Sequence, residues 1–314
     1  MITAVCIFHA AMGIFAKLAS ISLVDLTQVD GHYRAARAWF VNRNHFAAFI
    51  SLTLIGALSL QFKELIGANS RTTKSKFIEQ VVSYRVIYLL LILVAILALI
   101  LSESRSGFLA ILISLISVVW MIGGTSKSIF KKRLLIIPVL LIAVASLMYL
   151  GDDLIQRFGV GNEFLGERSE QWAMTWTAIK AEWLLGYGGN TYAEVFQMNR
   201  GYFDLRDVIY DQAHNDYLHI WLEQGLVGLC LWLAFVALSI RCAMLGLAKT
   251  SSTLVYAVVI AGIVVVVAAL VQALVGFNLH IVTIRFYFFA IMALIVASPT
   301  ISQNKSRDGR ILLV

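Results

Sequence analysis

The chain has 314 residues, 60% of them hydrophobic and only 14% charged, with a mean hydropathy of +0.83. Soluble domains hold about half apolar residues, so this composition excludes a water-soluble globular fold. The formal charge of +7 is split unevenly between the two ends of the apolar runs, a pattern that tracks membrane topology and gives no reason to expect nucleic-acid binding.

Apolar runs occur at about 2–24, 46–66, 86–103, 107–124, 134–150, 219–245, 254–276 and 282–298. Runs of ~20 residues match the hydrocarbon core of ~30 Å, and without water only helices satisfy the backbone there. The sequence therefore predicts an all-α polytopic membrane protein with about eight transmembrane helices. The first run lacks a basic leader and a small-residue cleavage site, and Lys17 interrupts it. It reads as a poor first span or as the surviving end of a longer protein. The three cysteines lie inside apolar runs without metal-like spacing and read as packing residues.

Orientation follows from the basic residues. With the N-terminus taken as cytoplasmic, the cytoplasmic side holds 14 cations against three acids, and the opposite side 10 cations against 15 acids. Short loops rich in Lys and Arg stay cytoplasmic, so the long polar loop is extracytoplasmic. The chain then divides into the first half of a bundle (1–150), an outer loop with short helices that carries the chemistry (151–218), and the second half of the bundle with a cytoplasmic C-terminal tail (219–314).

The passage from Gly151 to Gly228 holds most of the acidic groups, four of the seven tryptophans and two of the six histidines. Trp172, Trp176, Ile179 and Trp183 recur at helical spacing, with Ser169 as the expected N-cap. That stripe suits either a helix at the membrane interface or one packed on the loop's own core. Gly186, Gly188, Gly189 and Asn190 then end the helix in turns. They lack the Lys-Ser/Thr of a phosphate-binding loop.

Three residues stand out by position. Arg105, in SESRSG between two closely spaced apolar runs, sits at the mouth of a helical hairpin, where a charge is expensive and functional by default. The bland alternative is a guanidinium that snorkels to headgroups or pairs with Glu103. Arg168, in GERSEQW, precedes the tryptophans and by itself suits an ordinary bridge to Glu167 or Glu170. Arg157 and Arg43 are equally ambiguous. His214 opens HNDYLHIWLEQ, where an imidazole acts as a base near neutral pH or is merely bonded to Asp211 or a carbonyl. His214 and His219 are five apart and no H-x-x-x-H pair occurs, so no metal site is expected. His280, in FNLH, either lines the same chamber or caps a helix.

SRSG before an apolar helix, R-x3-W followed by Gly-Tyr-Gly, AHNDYLHIWLEQGLVG running into a span, and NRNHFAAF at 42–49 together resemble the O-antigen ligase and polymerase family. The resemblance covers about residues 40–245. It is most specific at AHN-x-YL-x8-GL-x-G. It implies a metal-independent, inverting, GT-C-type glycosyltransferase of the bacterial inner membrane, without cofactor, whose active site faces the periplasm. The donor it implies is a glycan on undecaprenyl diphosphate, and the acceptor lipid A–core or another lipid-linked glycan. Membrane lipids are the other implied partners. Carried over by position, Arg105 and Arg168 bind the diphosphate and His214 activates the acceptor hydroxyl. Asn215 and Tyr217 orient the imidazole or sugar, and Asn44 belongs to the substrate-binding set. Family members usually have more N-terminal spans, which implies truncation here. A polymerase differs only in acceptor. A transporter or flippase would carry ionisable groups near mid-membrane, where these spans are almost bare, and a scaffold would tolerate loss of His214 and Arg105.

Overall fold

The computed structural model describes residues 2–21, 23, 36–67, 93–104, 163–199 and 210–311. The expected spans at 107–124 and 134–150, and Arg105 itself, lie outside the described residues. Within them all regular structure is helical: α1 (Ile2–Leu18), α2 (Arg43–Gly67), α3 (Leu93–Ser102), α4 (Glu163–Ala181), α5 (Tyr192–Asn199), α6 (Asp216–Leu247), α7 (Thr253–Ala273), a 3-10 turn (Asn278–His280) and α8 (Val282–Ile311). Among the described residues, three stretches are long and apolar enough to cross a membrane: Asp216–Leu247, Leu254–Ala273 and Val282–Thr300.

α7 is the central helix, packed between α2 and α8, while α1 flanks α2 and α6 lies against α8. Lipid tails are as apolar as leucine, so helices in a membrane associate through close packing. The buried faces supply it with small residues: Ala47, Ala48 and Ser51 on α2, and Ala261, Ala268, Ala269 and Ala273 on α7. Gly262 of α7 meets Ile295 of α8 so closely that a Cβ there would overlap the isoleucine side chain. One buried polar contact joins α7 to α2, where Gln272 Nε2 donates to Ser51 Oγ at 2.7 Å.

Charges tie the helix ends together. Glu103, just past α3, receives Lys17 from the end of α1 and Arg43 from the start of α2, each at 3.1 Å. Arg43, ambiguous in the sequence, is thereby given an ion-pair partner. Segment 274–281, between α7 and α8, lies at this same end of the bundle, against the start of α2.

Helices α4 and α5 and the start of α6 have a core of their own, built from Ala178, Ile179, Tyr192, Val195, Phe196, Ala213 and Leu222. α4 starts at Glu163, so Ser169 is not its N-cap, and Arg168 sits on the helix one turn before Trp172. Of the expected tryptophan stripe, Ile179 is buried in the loop core and Trp172 is partly buried. Trp176 is 40% exposed, edge-on to Trp221 at 5.2 Å, and Trp183 is 51% exposed. The stripe thus divides between the two readings.

α6 is continuous in sequence but broken in geometry. Gly225 has φ 67 and ψ −176, a conformation open essentially to glycine alone. The loop heals the break: Leu226 N donates to Trp183 O and Val227 N to Leu184 O, while Tyr187 N and Gly188 N donate to Leu222 O and Glu223 O, at 2.8–3.2 Å. Gly186, at φ 72, and Gly225 make the approach possible, because a Cβ on Gly225 would fall on the Leu184 carbonyl. By these bonds the stretch 216–224 belongs to the loop, although it reads as the start of the span that follows.

Candidate functional site

Asn42 opens α2, its side-chain oxygen accepting from Asn44 N at 2.8 Å and its carbonyl from His45 N and Phe46 N, so it satisfies donors that a helix start leaves unpaired. The helix then turns Phe46, Ala47 and Ala48 into the core and leaves Asn44 and His45 at its rim.

His214 is held from both sides. Trp172 Nε1 donates to Ala213 O at 2.9 Å and Gln171 Nε2 to Gln212 O at 2.6 Å, which pins the preceding residues to α4. Asn215 then caps α6, accepting from Tyr217 N and Leu218 N at 3.0 and 3.1 Å. Between these anchors His214 is forced to φ 51, a left-handed conformation uncommon for a side-chain-bearing residue. Arg168 lies one turn before Trp172 and donates to Val275 O at 3.3 Å. The R-x3-W spacing thus sets the guanidinium beside the residue that Trp172 positions.

These pieces line one small, open cleft: Asn42, Asn44 and His45 from the start of α2, Arg168, His214, and Val275–Asn278 after α7. Phe277 is its centrepiece, with His45 edge-on to it at 4.4 Å and His214 at 5.0 Å. Burial, and then the Arg168 charge, lowers the His214 pKa below its ordinary value, against a smaller upward pull from Asp211. Burial and His214 together push His45 down to about 4. Burial also lowers Arg168, but a guanidinium stays charged in proteins. The cleft therefore combines neutral imidazoles, which can accept a proton, with a fixed cation and amide groups, which can hold an anion or sugar hydroxyls.

Of the residues expected from sequence, Arg168, His214 and Asn44 come together here. Asn215 spends its side-chain oxygen on the helix cap. The Tyr217 hydroxyl donates to Leu270 O at 2.8 Å, with the ring edge-on to Trp232 at 6.0 Å, so it faces the bundle. His280 is bonded to Asp216 and is not part of the cleft lining. Sequence reasoning missed His45, Phe277 and Asn278. The polar run Asn42–His45, set directly before an apolar span, was the available signal for the first of these.

The family model described as O-antigen ligase matches residues 90–233, a segment that contains Arg168 and His214. No curated protein matches the chain. Apolar helices long enough to span a membrane, the R-x3-W and AHN elements meeting in one cleft, and this match agree: the chain is a membrane protein that resembles the O-antigen ligase family over residues 90–233.

Proposed function

We propose that the protein transfers a glycan from undecaprenyl diphosphate to lipid A–core or a similar acceptor, at the periplasmic face of the inner membrane. The observation that carries this reading is the meeting of His214 and Arg168 in one cleft. Breaking a glycosyl–diphosphate bond leaves charge on the departing phosphate, which a guanidinium fork stabilises by paired hydrogen bonds. No divalent ion is then needed on the diphosphate. His214 takes the proton of the acceptor hydroxyl as its oxygen attacks the anomeric carbon from the opposite side, so the configuration inverts. Asn44 and Asn278 offer amides for sugar hydroxyls, and Phe277 offers a ring face for an apolar sugar face. Arg105 enters on its SRSG motif alone, as a second guanidinium for the diphosphate.

The test is transfer from a lipid-diphosphate glycan in liposomes. His214→Ala is expected to lower kcat by about 10²–10⁴-fold, the usual range for a general base, with the folded state retained. Arg168→Lys keeps the charge but loses the fork, and is expected to lower kcat/KM by at least about tenfold. Transfer by His214→Ala at the wild-type rate would remove the base from this mechanism. The product decides the acceptor: one glycan moved onto lipid A–core marks a ligase, and lengthening of the lipid-linked glycan marks a polymerase.

A further inference from the structure

Beside the cleft, and separate from it, the first turns of α6 meet the 3-10 turn in a cluster of two imidazoles and two carboxylates. Asp216 is fully buried. It accepts His280 Nδ1 at 2.6 Å and Leu279 N at 3.1 Å. One turn along, His219 Nε2 meets Glu223 Oε1 at 3.2 Å, and that oxygen also accepts Tyr192 N at 3.2 Å. The His219 ring stacks on Tyr192 at 4.6 Å and lies 3.9 Å from the His280 ring, centroid to centroid.

We propose that His219, Glu223 and His280 form a binding site for a divalent transition ion, with zinc the best match. Each of the three offers a ligand atom within 4.8 Å of the other two. The 3.2 Å between His219 and Glu223 is already close to the edge, about 3.3–3.4 Å, of a tetrahedron with arms of ~2.0–2.1 Å. His280 is oriented through Nδ1 by a buried carboxylate, the support that metal-binding histidines usually have, and its Nε2 is the nitrogen left for an ion.

One further observation points to a missing ligand: Asp216 and Glu223 are both buried, and among the described residues their ion pairs are with histidines only. Buried charge needs compensation, and a dication supplies it. Two imidazoles and one carboxylate favour zinc or a neighbouring transition metal over calcium or magnesium, which prefer all-oxygen sites. The ion would clamp the start of α6 to the turn that carries Phe277 and Asn278. Sequence spacing concealed the site because His280 lies 61 residues from His219 and joins it only through the fold.

The test uses the full chain in detergent, stripped with a chelator and titrated with cobalt(II). One cobalt per chain is expected, with the intense visible d–d absorption of four-coordinate cobalt, displaced by zinc. His280→Ala and Glu223→Gln are expected to weaken binding at least 100-fold, and His214→Ala is expected to bind as wild type does. His280→Cys should restore binding and add a sulfur-to-cobalt charge-transfer band. Binding by the His280 and Glu223 variants equal to wild type overturns the site, as does absence of cobalt uptake by the wild type. A readout on the wild type alone covers variants that do not fold. The His280 side chain is 23% exposed, and zinc is expected to slow its modification by diethyl pyrocarbonate at least tenfold. Unchanged reactivity overturns the proposal. Glycan transfer enters none of these measurements, so they stand or fall apart from the proposed activity.

Discussion

His214 serves the proposed reaction only as a neutral imidazole, and its surroundings keep it neutral. Burial and Arg168 both disfavour the protonated ring, while Asp211 favours it. The acid limb of the kcat/KM profile is therefore expected below pH 6.5, the ordinary value for histidine. Arg168→Gln removes a cation and should move that limb up, and Asp211→Asn removes an anion and should move it down. Profiles of transfer against pH for the three proteins check this, and shifts of the opposite sign would sink the assignment of His214 as base. His45 carries a consequence for stability. Its pKa is about 4 in the folded chain against 6.5 unfolded, so between those values the unfolded state binds more protons. Stability should rise with pH across that window and be lost as pH falls through it. Thermal unfolding in detergent between about pH 4 and 7 measures the slope, and His45→Gln should flatten it.

Two elements deliver His214 to the cleft, and each can be weakened separately. α4 holds it through the Trp172 indole. Trp172→Phe keeps the ring but removes a hydrogen bond worth ~1 kcal/mol. It is expected to lower kcat about fivefold through poorer positioning, with little change in unfolding temperature. An unchanged kcat would show that the indole bond does not position the base. The break in α6 is a harsher point. Gly225→Ala places a Cβ on the Leu184 carbonyl in a conformation that alanine resists, and is expected to cost ~2 kcal/mol or more. Unfolding temperature and activity should fall together, unlike in Trp172→Phe. A wild-type unfolding temperature would mean that the break is not required.

At the scale of the whole molecule, the ends of α1, α3 and α7 and the starts of α2, α6 and α8 gather at one end of the bundle, the end proposed to face the periplasm. In a cysteine-free background, Gly189→Cys, on an open turn with nothing near its Cβ position, should react with an impermeant maleimide in cells whose outer membrane has been opened. Lys249→Cys, between α6 and α7, should react only after lysis. The reverse pattern would invert the orientation. The helical membrane character was plain in the sequence because hydrocarbon imposes one backbone solution on every apolar run. His214 and Arg168 were legible because their motifs are local, and the separate run NRNHFAAF carried Asn44. Phe277, Asn278 and the Asp216–His280 pair were not, since ordinary residue types acquire meaning there only through packing across distant segments. The break at Gly225 was hidden by the unbroken helical run on both sides of it, and the start of α4 by Gly166, a poor helix former inside its first turn.

The junction between the loop and α6 also bears on how freely this region can vary. All four bonds that close the break run from backbone to backbone, so they ask nothing of the side chains at 183–185, 187–188, 222–224 or 226–227. Sites among these that have other tasks, such as Glu223, keep those constraints, but the joint itself adds none. Gly186, Gly188 and Gly225 are bound by backbone shape, each with positive φ. A saturation library across the junction should therefore tolerate broad exchange at exposed Leu184 and Leu185 and little at the three glycines. The loop can change its chemistry while remaining fastened in the same place.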